Sequence, residues 1–270
     1  MIEELITEGL FYKFDNLSSK AELNHFSTER SGGISIDCYA SLNLGYNSGD
    51  SRDKVLNNRI ILADLLSIEL NALFIPDQSH GDSVLHVNED FIKLPNEVQS
   101  AKLKGIDALI THLPRICICV LTADCAPIFI YDKNNKVIAM VHAGWRGTVK
   151  GIGVKTIQEM SRIYGSAPDE LICGIGPSIG PDIYEVGHEV IEAVKYAFGD
   201  DSAQLLKNTD SDHALLNLWE ANKILLTRAG VRPDNIEVAG ICTYTHSHRF
   251  FSSRKNHGKT GRTANGMMLL

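Results

Sequence analysis

Three side chains that commonly bind metal ions stand beside predicted β-strands: His80 in QSHGD, Cys125 in TADCAP and His142 in VHAGW. Thiolate and imidazole groups bind Zn²⁺ at about 2.0 to 2.3 Å. Three protein ligands leave one coordination position for water or substrate, which is typical of catalytic rather than structural zinc. The residue types therefore predict a catalytic zinc site formed by these three side chains.

A predicted β-hairpin gives a geometric reason for Cys125 and His142 to meet. The apolar runs APIFIYD and KVIAMVH flank a polar, Asn-rich turn. If the turn comprises residues 132–135, the two side chains lie opposite each other, with Cβ atoms about 4.5 to 5.5 Å apart. A register shift of one residue would place them on opposite faces. Spacing alone also allows both to be ordinary core or loop residues.

The rest of the sequence mixes short strands with a few helices. Helices are predicted over 52–66, 148–165, 187–198 and 214–230. Strands are predicted over 107–111, 115–121, 126–132, 136–142 and 235–243, and at the starts of 73–80 and 170–181, each of which runs into a loop. The stretch 244–266, rich in His, Arg, Ser and Gly, is predicted to be a functional loop. Because there is no regular βαβ alternation, we expect an α/β (mixed α+β) fold: one domain, residues 1–270, with a mixed β-sheet flanked by helices.

Composition excludes some classes of partner. A net charge of −7 argues against a general nucleic-acid-binding protein, which needs a basic face. No apolar run reaches the roughly 18 residues that span a membrane, and the N-terminal MIEELITEGLFYKF lacks the features of a signal peptide. We therefore expect a cytoplasmic protein without membrane contact, whose six cysteines are reduced.

Several long motifs, in order along the chain, resemble those of one protein family. They are SLNLGYNSGD (41–50), QSHGDSV (78–84), LTADCAPI (121–128), HAGWRGT (142–148), GIGPSIGPDIYEVG (174–187), CTYTHSHRFFSSRK (242–255) and TGR (260–262). From about Phe26 onward the sequence resembles the laccase-domain family, also described as multicopper polyphenol oxidoreductase-like or purine nucleoside phosphorylase-like proteins. The segment FSTERSGGIS departs from the family's usual shorter spacing, which puts a role for Arg30 in doubt.

The resemblance implies a fold, a metal and an activity. The implied fold is shared with toxins that carry a Cys–His pair, and the implied Zn²⁺ ligands are His80, Cys125 and His142. The implied reactions are phosphorolysis of purine nucleosides such as adenosine, inosine and guanosine, and deamination of adenosine. Nucleoside and phosphate would be the partners of a monomer or small homo-oligomer.

Two alternatives use the same residues. In a Cys–His hydrolase acting on peptidoglycan precursors, Cys125 would be the nucleophile and His142 the base. A copper-dependent polyphenol oxidase would need several clustered histidine sites, and the sequence suggests one. His80 favours a metal, because a third ligand has no role in a two-residue hydrolase.

A phosphorolytic site also needs groups that hold phosphate. Guanidinium groups and backbone N–H groups at a helix start are suited to this. Arg146, in GWRGT between His142 and the predicted helix, is the first candidate, and Arg59 and Arg262 are weaker ones. Asn43, in SLNLG, is a candidate for orienting substrate, although a turn-forming role fits equally.

Two other features leave their roles open. Asp124, next to Cys125, fits a structural role as well as general-base work. His246 and His248 form an H-x-H pair that could bind a metal, although a solvated loop is the better interpretation.

Overall fold

Apolar residues lie on both faces of the long strands, so each large sheet must be covered on both sides. The computed structural model describes residues 11–270. Its strands are β1 Phe11–Tyr12, β2 Leu23–Thr28, β3 Leu73–Phe74, β4 Val84–His86, β5 Ala108–Thr111, β6 Cys117–Thr122, β7 Ala126–Asp132, β8 Val137–Ala143, β9 Ile172–Ile175, β10 Glu185–Gly187, β11 Leu206–Asn208, β12 His213–Leu216, β13 Ile236–Val238 and β14 Thr263–Leu269. Its α-helices are α1 Asp15–Ser18, α2 Arg52–Leu65, α3 Glu89–Ile92, α4 Asn96–Lys102, α5 Trp145–Val149, α6 Ile152–Tyr164, α7 His188–Phe198, α8 Ser202–Leu205 and α9 Leu218–Arg228.

The strands form three sheets. A five-stranded sheet has the order β1-β2-β14-β6-β3, a six-stranded sheet the order β13-β9-β7-β8-β5-β4, and a small sheet the order β10-β12-β11. Both large sheets are mixed, because β3 pairs with β6, β4 with β5 and β13 with β9 in parallel, while their other pairs are antiparallel. The expected mixed α/β fold is confirmed, with its strands divided over three sheets instead of one.

The two large sheets pack against each other. The buried layer between them includes Ile118, Val120, Phe129, Tyr131, Ile138, Met140 and Met267. Because side chains alternate along a strand, odd-numbered residues of β7 and even-numbered residues of β8 face this layer. Cys125 and His142 continue these two series at the strand ends. Both side chains therefore lie between the two large sheets, at the rim of the buried layer.

Helices cover the outer faces of the two sheets. Ile157 and Met160 of α6 and Leu226 of α9 pack on the six-stranded sheet, and Leu62 of α2 packs on the five-stranded sheet. The protein therefore has four layers in the order helix, sheet, sheet and helix. Truncating any of these buried side chains to alanine would cost roughly 2 to 5 kcal/mol of stability.

The helix predicted over 148–165 is two helices. The first, α5, ends at Val149, and α6 begins at Ile152. Gly151 separates them with a φ of +74°, a left-handed conformation that an α-helix cannot contain. Gly165 ends α6 as predicted, again with positive φ.

Other predicted elements differ from the structure in their bounds. The strand predicted over 235–243 is shorter, since β13 ends at Val238. The helix predicted over 214–230 starts only at Leu218, because Asn217 caps it by accepting a hydrogen bond from the backbone N–H of Glu220, and the residues before it form β12. The loop predicted over 244–266 ends earlier, because Thr263 begins β14 in the middle of the five-stranded sheet.

The β7–β8 hairpin forms, but its predicted register is wrong. The turn comprises residues 133–136, since the Asp132 carboxylate accepts hydrogen bonds from the backbone N–H groups of the turn and stays in the strand. His142 therefore pairs with Pro127 rather than with Cys125. A shift of two residues preserves the face, so Cys125 is a diagonal neighbour of His142 on the same side.

Among residues 11–270, no helix is both long and apolar enough to cross a membrane. All six cysteines are free thiols. The prediction made for the first ten residues of the N-terminal segment lies outside the described part of the chain. The extent of the domain, residues 1–270, and the cytoplasmic location stay predictions.

Candidate metal centre

A buried carboxylate holds two of the three predicted ligands. Asp107 comes directly before β5 and is fully buried. Its Oδ1 accepts hydrogen bonds from the backbone N–H of His80 at 3.0 Å and from Nδ1 of His142 at 2.8 Å. Its Oδ2 accepts from the backbone N–H groups of Ser79 at 3.2 Å and Gly81 at 2.7 Å. One side chain therefore fixes both the loop that carries His80 and the imidazole of His142.

His80 has a backbone conformation that few non-glycine residues adopt. Its φ is +58°, in the left-handed region. Such strain costs on the order of 1 to 3 kcal/mol and persists where surrounding contacts enforce it. Here the Asp107 carboxylate binds three successive N–H groups of the loop. The exposed imidazole of His80 is thereby held near the buried imidazole of His142.

The three predicted ligands meet in the structure. The donor atoms of His80, Cys125 and His142 all lie within 4.8 Å of one another, and the two imidazole centroids are 4.8 Å apart. Gly144 gives them room, because a Cβ there would lie 2.9 Å from Cys125 Sγ and 3.3 Å from His80 Cδ2. A soft thiolate and two imidazoles form a donor set that suits Zn²⁺. Asp107 binds Nδ1 of His142, as the outer partner of a metal-bound histidine usually does, so Nε2 is the ring nitrogen that could bind a metal.

Cys125, His142 and Asp107 shift one another's pKa values. Burial alone would raise the pKa of Cys125, but the charge of His142 and hydrogen bonds from both imidazoles lower it to about 6. Burial alone would lower the pKa of His142, but Cys125 and Asp107 raise it to about 9. Burial would raise the pKa of Asp107, but hydrogen bonds from His142 and Gly81 lower it. These opposite shifts favour a thiolate–imidazolium pair when no metal is bound, and metal binding would release the imidazolium proton.

The three predicted ligands line a cleft of about 1100 Å³. Its walls carry five cationic side chains, Arg52, Arg59, Lys104, Arg254 and Arg262, and two carboxylates, Asp77 and Asp124. Within residues 11–270, none of these cations lies within ion-pair distance of a carboxylate. A cationic cleft in a chain of net charge −7 is suited to a ligand that carries negative charge.

Arg146, the first phosphate candidate, does not join the predicted ligands. Its guanidinium is 3.1 Å from the carboxylate of Glu189 on α7 and lies 4.2 Å over the ring of Trp145. It is not among the residues that line the cleft. Although it follows His142 by only four positions, helix α5 turns its side chain toward α7, so the geometry does not support the role predicted for it.

Arg59 and Arg262 do line the cleft. The Nε and Nη2 groups of Arg59 both donate to the carbonyl of Leu44, and its guanidinium lies 4.1 Å from the ring of Tyr46. Burial lowers the pKa of Arg59 to about 10, and it remains charged. Arg262 donates from Nη1 to the carbonyls of Thr260 and Gly261. Most donor groups of Arg59 therefore bind the protein's own backbone, whereas Nε and Nη2 of Arg262 remain available to a ligand.

Asn43 and Asp124 act as anchors in the structure. Asn43 is fully buried, and its Oδ1 accepts a hydrogen bond from the backbone N–H of Arg262 at 2.9 Å. The Oδ1 of Asp124 accepts from the Thr243 hydroxyl at 2.7 Å, and its Oδ2 accepts from the backbone N–H of Arg254 at 2.6 Å. These contacts fit the structural interpretation of each residue. They tie the segment after Thr243 to the cleft.

His246 and His248 lie apart from the three ligands. Their ring centroids are 6.0 Å apart, Nδ1 of His246 lies 3.0 Å from the carbonyl of Cys242, and neither ring lines the cleft. Within residues 11–270, the one group of three His, Cys, Asp or Glu side chains that could share a metal ion is His80, Cys125 and His142.

Sequence reasoning missed Asp107 and Arg254. The available signal for Asp107 was an acidic residue at the start of an otherwise apolar strand, ALIT, because a carboxylate next to a buried strand needs partners. The signal for Arg254 was its place in the polar stretch predicted to be functional. That stretch offered several cations, and no pattern distinguished this one.

Comparison with known proteins agrees with the fold and the motifs. The family described as multi-copper polyphenol oxidoreductase laccase matches residues 24–270. The chain belongs to this family.

Relatives in the family carry enzyme names. A purine nucleoside phosphorylase from Bacteroides thetaiotaomicron is 38% identical over 257 residues, which cover 95% of each chain. The adenosine deaminase RL5, from an unknown prokaryotic organism, is 37% identical over 255 residues, which cover 94% of this chain and 97% of the relative. The crystal structure of YlmD from Geobacillus stearothermophilus matches with a TM-score of 0.88 and 29% identity, covering 97% of this chain and 99% of YlmD. The family resemblance expected from the motifs is confirmed.

Proposed function

We propose that the protein is a zinc-dependent enzyme that acts on purine nucleosides. It would cleave adenosine, inosine and guanosine by phosphorolysis and would deaminate adenosine. The observation that carries the proposal is the convergence of His80, Cys125 and His142 on one point of a cationic cleft. The names of the relatives, a purine nucleoside phosphorylase and an adenosine deaminase, support the choice of substrate.

The two reactions differ in the oxygen nucleophile. In phosphorolysis, an oxygen of dihydrogen phosphate bonds to C1′ of the ribose while the C1′–N9 bond breaks. The electron pair of that bond goes to the purine, which takes up the proton that phosphate loses. In deamination, a water oxygen bonds to C6 of adenine while the C6–N bond breaks. The amino group takes one proton from the water and leaves as ammonia, and the other proton ends on N1 of the product inosine. A bound zinc ion would supply a Lewis acid and would lower the pKa of water to about 7.

The residues of the chain prepare the site for either reaction. Asp107 accepts a hydrogen bond from Nδ1 of His142, so the ring keeps one orientation and presents Nε2. The pKa of about 6 keeps Cys125 available as a thiolate. The cleft exceeds the usual size of a small-molecule site, roughly 300 to 1,000 Å³, so a nucleoside and a small anion fit together. Its cations offset the charge of phosphate.

The direct test is incubation of the pure, zinc-loaded protein with adenosine, with and without phosphate. The proposal expects adenine and ribose 1-phosphate only when phosphate is present, and inosine and ammonia without it. Guanosine, which has no 6-amino group, should react only with phosphate. Absence of all these products from a folded protein that contains zinc would refute the proposal.

A Cys–His hydrolase is the second candidate, because the low pKa of Cys125 next to His142 also describes an activated nucleophile. Replacing His80 by alanine separates the two. A metal mechanism loses turnover in His80→Ala as fully as in Cys125→Ala. A thiolate mechanism keeps turnover in His80→Ala and is inactivated by alkylation of Cys125 in metal-free buffer.

Metal analysis separates zinc from copper. The proposal expects about one zinc per chain, lost in Cys125→Ala. A polyphenol oxidase with several coppers would need several groups of metal-binding side chains, whereas residues 11–270 contain one such group, His80, Cys125 and His142. Several equivalents of copper in protein purified without added metal would contradict the zinc proposal.

A further inference from the structure

The segment between Thr243 and β14 brings two guanidinium groups to the cleft. Arg254 and Arg262 both line it. The backbone of Arg254 is bound to the carboxylate of Asp124, the residue next to Cys125. The backbone of Arg262 is bound to the buried amide of Asn43. Both arginines are therefore anchored through main-chain contacts, which leave their side chains available for other partners.

The side chains of these two arginines are only partly used. Arg254 donates from Nη2 to the carbonyl of Glu185 at 2.9 Å, and Arg262 donates from Nη1 alone. Within residues 11–270, the Nε groups of both have no hydrogen-bond acceptor, and neither arginine is paired with a carboxylate. By contrast, Arg59 uses its Nε and Nη2 on a carbonyl, and Arg146 is paired with Glu189.

Tyr184 adds a neutral donor on the same side of the cleft. Its half-buried ring lines the cleft, and the guanidinium of Arg254 lies 5.4 Å from the ring centroid. Burial raises the pKa of Tyr184; the charge of Cys125 raises it further, whereas Arg254 opposes this. The phenol therefore lies beside the guanidinium of Arg254, in the same cleft as Cys125. It stays protonated at neutral pH and can donate a hydrogen bond.

We propose that Arg254 and Arg262, with the Tyr184 hydroxyl, bind inorganic phosphate beside the three metal ligands. The proposal rests on the proposed function, since phosphate is the co-substrate of phosphorolysis. It moves the phosphate site from Arg146 on α5 to the segment that precedes β14. Two guanidinium groups and a hydroxyl can donate hydrogen bonds to several phosphate oxygens at once. Because the main chain of both arginines is already held in place, binding has to order only their side chains, which lowers the entropic cost.

The test measures phosphate binding and two reactions on the same zinc-loaded protein. Titration calorimetry gives the Kd of inorganic phosphate without nucleoside, and initial rates give the KM for phosphate and the kcat/KM of adenosine deamination. Arg254→Ala should raise both phosphate constants roughly 10- to 100-fold, because it removes a hydrogen-bonding cation from a charged ligand. Deamination uses no phosphate, so its kcat/KM should fall far less than that of phosphorolysis, and the zinc content should not change.

Matched variants guard against a purely structural effect. Arg254→Lys keeps the charge and the main-chain contact, so it should recover part of the phosphate affinity. Arg162→Ala, at an exposed arginine of α6 paired with Glu159, should behave like the unmodified protein. Unchanged phosphate constants in Arg254→Ala would overturn the proposal, as would a rise confined to Arg146→Ala. An equal fall of deamination and phosphorolysis would also overturn it, because that result indicates a loss of cleft structure.

The outcomes also separate this inference from the proposed function. If the unmodified protein turns over no nucleoside but binds phosphate through Arg254, the proposed function fails and the phosphate site stands. If it cleaves nucleosides and Arg254→Ala binds phosphate normally, the phosphate site fails and the proposed function stands.

Discussion

Replacing Asp107 by asparagine should weaken the metal site without changing its ligands. The substitution keeps the size of the side chain but replaces one acceptor oxygen by an NH₂ donor. If the NH₂ takes the Oδ2 position, it faces the N–H groups of Ser79 and Gly81. If it takes the Oδ1 position, it faces the N–H of His80 and Nδ1 of His142. In either case two donors inside the protein lose their acceptor.

The expected magnitude follows from these contacts. A hydrogen bond to a charged group contributes roughly 1.5 to 3 kcal/mol, so the loss of two should lower the free energy of unfolding by about 3 kcal/mol, the lower end of their sum. Loss of an outer partner of a metal-bound histidine typically weakens metal affinity 10- to 100-fold. Urea unfolding of the zinc-free protein measures the first effect, and competition with a chromogenic zinc chelator measures the second.

Asp64→Asn is the matched control, because Asp64 is an exposed carboxylate on α2. It should leave stability and zinc affinity unchanged. If Asp107→Asn also bound zinc as tightly as the unmodified protein, the argument that Asp107 positions His80 and His142 would be wrong.

Three further outcomes are expected. Nε2 of buried His25 accepts a hydrogen bond from the backbone N–H of Phe14, and burial lowers the pKa of His25 to about 4. As the pH falls, His25 of the unfolded chain, with a pKa near 6.5, takes up a proton before His25 of the folded protein does. Urea unfolding should therefore show the free energy of unfolding falling by about 2 to 3 kcal/mol from pH 7 to 4.5. The fall should be smaller in His25→Gln. Gly144→Ala should release zinc while circular dichroism shows an intact fold, since its Cβ crowds Cys125 Sγ and the His80 ring. Titration of the denatured protein without reductant should find six thiols.

The meeting of Cys125 and His142 was predictable because a strand pattern survives small errors of register. The hairpin turn was assigned one residue too early, which changed the predicted partner of His142 by two positions. Since strand side chains alternate with a period of two, Cys125 stayed on the same face. His80 had no such geometric argument, and its place in the site came from the resemblance and from the chemistry of the donor set.

Contacts between distant segments were not predictable in the same way. Asp107 gains its role from a loop 26 to 28 positions earlier and from His142, 35 positions later. Arg146 seemed well placed by its distance along the chain from His142, but α5 directs it to Glu189. The first four residues of β14, 263–266, were predicted to be loop because they continue the polar stretch that begins at residue 244, although they are buried in the sheet. Proximity along the chain does not encode these tertiary contacts.

The central position of β14 has a consequence for how the protein is made. Strands β2 and β6 do not pair with each other; both pair with β14, and Thr28 contacts Ala264, 236 positions further along the chain. At a synthesis rate of roughly 5 to 20 residues per second, β2 waits on the order of 10 to 50 s for its partner. During that time β2 and β6 each present an unpaired edge to other nascent chains. Arg254 and Arg262 lie in the segment that leads into β14, and both line the cleft. The cleft can therefore form only after β14 has paired with β2 and β6.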